Sequence, residues 1–180
     1  MAEERDNQMH PAQAVDVAER MTRAGVPLTI RAAGPEDVAC LADIYAHLTA
    51  QDMRFRFRGS IERLSAEDLL DLVDREAGMT SYLAFSENLP VACATLIHDR
   101  GRNSAEVILA VRPEWKGHGV SWTLLEFVID HATAAGLKRI TSHELGEDRE
   151  AVNLQREMGF VARLTSADPV ALSMDKVLNR

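Results

Sequence analysis

The apolar positions of this 180-residue chain change period several times, and each change marks an element. Leu28-Thr29-Ile30-Arg31 alternates between Pro27 and Gly34, which predicts a first strand. Pro35, Glu36 and Asp37 suit the first turn of a helix, where N–H donors lack partners and the dipole is positive; Val38, Leu41, Ile44, Tyr45 and Leu48 form its buried face. Ser65-Ala66-Glu67-Asp68 reads as a capping-box start for a second helix carrying Leu69, Leu72 and Val73. Tyr82–Phe85 and Val91–Ile97, joined through Glu87-Asn88-Leu89-Pro90, predict an antiparallel hairpin, and a turn at 99–103 leads into a β-branched run from Ala105 to Val111. Leu124, Leu125, Val128, Ile129 and Ala132 then recur at helical spacing until Gly136. Lys138–Glu144 predicts a strand, Glu147–Met158 a helix, and 161–165 with 170–174 a last hairpin across Asp168-Pro169.

Residues 28–180 therefore read as one α/β (α+β) domain, and residues 1–27 as an N-terminal extension. Pro11 to Gly25 is expected to form one short helix with Ala14, Val17, Ala18, Met21 and Ala24 on one face. That face is thin in large side chains, so the helix either packs on the domain or a partner or stays loosely ordered, and the sequence does not decide between these.

Composition narrows the class without naming a function. The apolar fraction, 46%, is enough for one core. A net charge of −8 with both signs mixed along the chain argues against a general nucleic-acid or membrane-surface binder. No apolar run approaches the ~20 residues of a membrane helix. The start Ala2-Glu3-Glu4-Arg5-Asp6 is unlike a secretory signal. Cys40 falls in a predicted helix and Cys93 in a predicted strand, as reduced thiols would, so a cytoplasmic location is expected. Arg54-Phe55-Arg56-Phe57-Arg58 alternates cation and aromatic. Stacking on single-stranded nucleic acid, a half-buried connector with Phe inward, and a rim meeting an acidic or protein acceptor all remain open, with the net charge against the first.

The candidate chemistry centres on residues 111–121. The apolar strand stops at Pro113, and the chain passes through a cationic turn, Lys116-Gly117-His118-Gly119, into the helix that begins near Val120 and Ser121. A strand feeding a Gly-rich loop into a helix N-terminus offers backbone N–H groups at the positive end of a dipole, which suits a phosphate. The dinucleotide fingerprint would need a small residue where Trp122 stands, and the ATP P-loop needs a Gly-Lys-Ser/Thr ending that is missing.

Val-x-Pro-x-aromatic-basic-Gly-x-Gly-aliphatic-small resembles the pyrophosphate loop of the GNAT superfamily of N-acetyltransferases, and the element order over residues 28–178 resembles that fold as well. The resemblance implies a mixed, mostly antiparallel sheet of six to seven strands flanked by about four helices. It implies acetyl-CoA as cosubstrate, with Lys116, Gly117, His118, Gly119, Val120 and Ser121 at its pyrophosphate, Leu109 and Val111 along its pantetheine, and Asp148 at the start of the last helix. A bulky side chain at Gly119 is expected to block the approach of coenzyme to backbone. Lys116 and Ser121 replace the family's Gln or Arg and Gly or Ala; Asp148 and Gln155 replace an Asn and a Tyr that protonates the leaving thiolate.

An amine acceptor is protonated at neutral pH (reference pKa ~10.4), so a base is needed. Glu106 is the only acid in an apolar strand, shares a face with Ile108 and Ala110, and matches a general-base Glu of some family members. A solvated strand-end role is its alternative. His98, Asp99, His143 and Glu144 are further strand-end groups that could line the cleft. No metal is expected, because His143-Glu144 lacks the second His of His-Glu-x-x-His. The segment around 54–68 resembles the subgroup that acetylates protein lysines, so the acceptor is expected to be an amine, with a protein lysine preferred. A small-molecule amine, or an acyl-CoA-binding regulatory module without turnover, stands as the alternative. A second copy of the chain is a further candidate partner.

Overall fold

A computed structural model describes residues 17–49, 53, 64–74, 76, 78–99, 101, 103–167 and 169–179. The Arg/Phe segment at 54–58 and the start of the expected N-terminal helix lie outside the described residues. Eight strands form one sheet: β1 (Ala18–Met21), β2 (Pro27–Ala32), β3 (Met79–Ser86), β4 (Leu89–Asp99), β5 (Ser104–Val111), β6 (Arg139–Leu145), β7 (Val161–Ala167) and β8 (Val170–Val177). Their order is β1-β2-β3-β4-β5-β6-β8-β7. Every neighbouring pair is antiparallel except β5 and β6. Four α-helices lie among the described residues: α1 (Val38–Ala46), α2 (Ala66–Asp71), α3 (Val120–Ala134) and α4 (Arg149–Glu157).

Strand alternation divides the core in two. Tyr82, Ala84, Ala92, Ala94, Val107 and Val111 face α3 and α4, where Val120, Leu124, Phe127, Val128 and Val152 are buried. Leu83, Cys93 and Ala110 point the other way, against Leu41, Ile44 and Tyr45 of α1 and Leu69 and Leu72 at α2. Each fully buried Leu, Ile or Phe contributes roughly 1.5–3 kcal/mol, so this two-sided burial fixes the register of the central strands. Ser65 caps α2 as expected: its hydroxyl accepts from Asp68 N–H at 3.1 Å while the Asp68 carboxylate accepts from Ser65 N–H at 2.7 Å. Asp37 accepts two hydrogen bonds of 2.7 Å from the Arg31 guanidinium and one from Gly34 N–H, which ties β2 to the entry of α1.

The N-terminal expectation needs correction. Residues 18–21, expected in a helix, form β1 and pair with β2 from Ala18↔Ile30 to Met21↔Pro27. A helix there would have relied on Val17 and Met21 for burial, and both are exposed. The backbone of β2 instead supplies a ladder of partners, and a tight turn closes the hairpin: Thr22 N–H donates to Val26 O, Gly25 N–H to Thr22 O, and Val26 N–H to Thr22 Oγ1. This strand raises the count above the expected six to seven.

Candidate functional site

β5 and β6 pair only from Ser104↔Arg139 to Glu106↔Thr141. Beyond that point β6 continues alongside β8 up to Leu145, and β5 continues alongside β4 up to Val111. The two parallel strands therefore part, and a wedge opens toward their C-terminal ends.

The loop after β5 stands over this wedge. Arg112 N–H donates to Val91 O at 3.0 Å, and its buried guanidinium pairs with Asp43 of α1 and with Glu114 at 3.5 Å. A short 3-10 turn, Pro113–Trp115, follows, then an extended Lys116. Gly117 and Gly119 take φ of 75° and 78°, the left-handed region open to glycine, and the chain is turned into α3. The first backbone bond of that helix runs from Thr123 N–H to Gly119 O at 3.1 Å. The N–H groups of Val120, Ser121 and Trp122 precede it and have no acceptor within the helix.

A narrow slot of about 90 Å³ lies between these parts, lined by Leu109 and Val111 of β5, Lys116 and Ser121 of the loop, Glu144 of β6, and Asp148, Glu150, Ala151, Leu154 and Gln155 at α4. Five expected residues are thus brought together: Leu109, Val111, Lys116, Ser121 and Asp148. Gly117, His118, Gly119 and Val120 shape the loop without lining the slot. The Val120 side chain is wholly buried in the core, and His118 Nδ1 lies 2.9 Å from Lys116 O. A Cβ on Gly117 would meet nothing within 4 Å, whereas one on Gly119 would lie 3.2 Å from Thr22 Cβ and 3.3 Å from Arg23 N. A side chain at Gly119 therefore strikes the N-terminal hairpin first.

Two departures from the family pattern have local causes. The Asp148 carboxylate caps α4, accepting from Ala151 N–H at 3.1 Å, a task that Asp performs as well as Asn. Gln155 bridges a buried polar chain: Ser142 Oγ donates to its Oε1 at 2.5 Å, and its Nε2 donates to Glu144 Oε1 at 2.6 Å. All three side chains are buried.

Glu106 is not part of the slot. It faces a separate groove of about 670 Å³ lined by His98, Asp99, Ser104, Lys138, Arg139 and Thr141 among others. Its Oε2 lies 4.0 Å from His143 Nε2, and both side chains are about one-third exposed or less. Burial pushes the His98 imidazole pKa below its ordinary value, so His98 adds little positive charge near neutrality. Glu144, named in the sequence only as one strand-end group among several, is a strand carboxylate that shares the slot with Leu109. Glu150, Ala151 and Leu154 carried no signal of their own beyond the helical spacing of α4. No group of three or more His, Cys, Asp or Glu that could hold a metal ion occurs among the described residues.

A profile of the acetyltransferase (GNAT) family matches residues 42–160, about two-thirds of the chain. The chain belongs to the GNAT family. The fold is shared with the GNAT domain of S. lividans PAT (TM-score 0.79, 20% identity, covering 90% of this chain and 97% of that one). It is shared also with spermidine N-acetyltransferase from Vibrio cholerae in complex with CoA and spermine (0.69, 21%, 84% and 95%). A third GNAT-fold structure, yncA, a putative acetyltransferase from Salmonella typhimurium with its cofactor acetyl-CoA, gives 0.70 at 18% identity, with 85% and 95% covered. The protein is an N-acetyltransferase of this family, with an eight-stranded mixed sheet. Among its described residues no helix is long and apolar enough to cross a membrane.

The residues of this GNAT chain fit a coenzyme A thioester at the loop, where open N–H groups and Lys116 meet, and along Leu109 and Val111. The side of the slot formed by β6 and α4 is acidic, with Glu144, Asp148 and Glu150 against Lys116.

Proposed function

We propose that this GNAT protein transfers the acetyl group of acetyl-CoA to the side-chain amine of a protein lysine in the cytoplasm, within a ternary complex. The observation that carries the reading is the parting of β5 and β6 beside the open N–H groups of α3. An extended thioester arm suits that wedge, with its diphosphate on the N–H groups of residues 117–122 and its acyl end level with Leu109.

In the step itself the amine nitrogen attacks the thioester carbonyl carbon; the C–N bond forms, the C–S bond breaks, and coenzyme A leaves as a thiolate. The thiol pKa of ~8.5 makes that departure tolerable without a protein acid, and the thiolate regains a proton from water. A positioned backbone N–H beside the carbonyl oxygen is worth about 3–4 kcal/mol as charge develops there. The ammonium proton goes to a carboxylate. Glu106 receives it through water, because three strand residues, ~10 Å, separate it from Leu109. Glu144 is the competing base on position alone, since it lines the slot.

The lysine preference rests on the charge of the groove beside Glu106. Asp99 and Glu106 face Lys138 and Arg139, a balanced lining that gives a polycation no net attraction and leaves room for a mixed peptide surface. Thiol release from acetyl-CoA with a lysine-rich protein, compared with spermidine, tests the acceptor. Release with spermidine alone refutes the lysine reading, and calorimetric binding without release to any acceptor leaves a binding module. Glu106→Gln is expected to cut turnover at least ~100-fold with acetyl-CoA affinity nearly unchanged, while Glu144→Gln retains most turnover. The reverse pattern moves the base to Glu144.

A further inference from the structure

The N-terminal hairpin reaches the same loop from outside. Its tip, Thr22 to Gly25, packs so closely on the entry of α3 that a single Cβ at Gly119 would come within 3.3 Å of Arg23 N. Thr22 is 3% exposed, and its hydroxyl accepts from Val26 N–H at 3.0 Å, so the tip is a closed turn held against the loop. The Arg23 side chain is exposed, and its guanidinium carbon lies 3.5 Å from the centroid of the Trp122 ring. Stacking fixes the guanidinium plane and leaves its edge N–H groups directed outward; none of them has a hydrogen-bond or ion-pair partner among the described residues.

Charge gives this cation a task. The slot carries three carboxylates, Glu144, Asp148 and Glu150, against one Lys116, and the whole chain is at −8. Coenzyme A is a polyanion with two phosphate groups on one ribose, a 5′-diphosphate and a 3′-monophosphate. The N–H groups of Val120 to Trp122 serve one of them, and Arg23 lies beside that segment, stacked on Trp122.

We propose that Arg23 binds the ribose 3′-phosphate of coenzyme A, so that the β1–β2 hairpin completes the coenzyme site and makes it select coenzyme A over its 3′-dephospho form. The proposal rests on the acetyl-CoA reading above. A guanidinium already held flat by Trp122 loses little freedom on forming a bidentate pair with a phosphate monoester. Arg20, on β1 of the same hairpin, is a built-in control: its guanidinium carbon lies 5.9 Å from the Phe127 ring, further along α3.

Calorimetric titration of the full chain with coenzyme A and with 3′-dephospho-coenzyme A tests this. The wild type is expected to bind coenzyme A about tenfold more tightly, the effect of one charge-assisted hydrogen bond at an exposed site. Arg23→Ala should abolish that preference without changing affinity for the dephospho form, and Arg20→Ala should keep it. Equal binding of the two ligands by the wild type overturns the proposal and leaves the acetyl-CoA reading standing. Equal loss in Arg20→Ala and Arg23→Ala also overturns it, since that pattern reports only long-range charge. Failure of the wild type to bind either ligand removes both readings.

Discussion

Gln155 is the residue at which the site and the stability of the fold are most closely joined. Replacing it by Met keeps its length and volume and deletes both of its polar contacts. Ser142 Oγ then loses an acceptor at 2.5 Å, and Glu144 loses one donor at 2.6 Å. A hydrogen bond to a charged group contributes about 1.5–3 kcal/mol and a neutral one about 1, and their environment is buried, so Gln155→Met should cost about 2–4 kcal/mol. In a chain of this size that corresponds to a fall in Tm of roughly 5–15 °C. Urea denaturation should show the midpoint moving with the slope unchanged. Gln155→Glu separates hydrogen bonding from packing. It sets a second carboxylate against Glu144, and the pair folds most favourably while sharing a proton, so its carboxyl pKa is raised in the folded state. A raised acid pKa gives a folded state that binds more protons than the unfolded one, so stability falls as pH rises through the pair's range. Gln155→Glu should therefore lie close to the wild type near pH 5 and far below it at pH 8. A cost under ~1 kcal/mol for Met, or a pH-independent deficit for Glu, would refute the role given to this chain of contacts.

Three other effects are open to measurement. Gly119→Ala should lose about 1–3 kcal/mol, from the left-handed φ of 78° and from contact with Thr22 and Arg23, and an unchanged urea midpoint would show that the hairpin does not pack there. Asp37→Asn should cost about 2 kcal/mol at pH 7, because the hydrogen bond from Arg31 holds the Asp37 carboxyl below the usual carboxylate range. A depressed pKa gives stability that is present above the ordinary value and lost as pH falls through the lowered one, so the gap between wild type and Asp37→Asn should shrink below about pH 4, and a constant gap would exclude the ion pair as its source. Glu106→Gln and Glu144→Gln, compared under saturating acetyl-CoA, decide which carboxylate takes the proton.

The central architecture was legible because local signals and burial agree there. The β-branched run ending at Pro113 is a strand buried on both faces, and the helix from Val120 carries its apolar side chains where the 3.6-residue period puts them. The loop's backbone shape was legible for the same reason: two glycines between a strand and a helix have few conformations open to them. What depended on distant parts of the chain was not. Residues 18–21 carry so little apolar bulk that their state is settled by the free edge of β2. Glu106 was singled out by alternation, which gives a face but no position along the wedge. β5 leaves β6 after Glu106 while β6 stays paired with β8 through Leu145, and nothing in residues 104–111 encodes that point.

Gln155 also explains why a departure from the family pattern need not mean loss of function. The buried face of β6 carries Ser142 and Glu144, one a hydroxyl donor here and the other a carboxylate acceptor. A side chain reaching both from α4 must accept from the first and donate to the second. An amide does this with its two ends, whereas the single hydroxyl of the Tyr implied by the resemblance has one proton and lies at the tip of a rigid ring. Once Ser142 and Glu144 are in place, Gln at 155 satisfies both in a way that a phenol does not. In the proposed transfer the proton for the departing thiolate is then left to water, which its pKa of ~8.5 permits. The three residues are best understood as one substitution spread over β6 and α4, and mutating any of them alone should read out as lost stability before it reads out as lost chemistry.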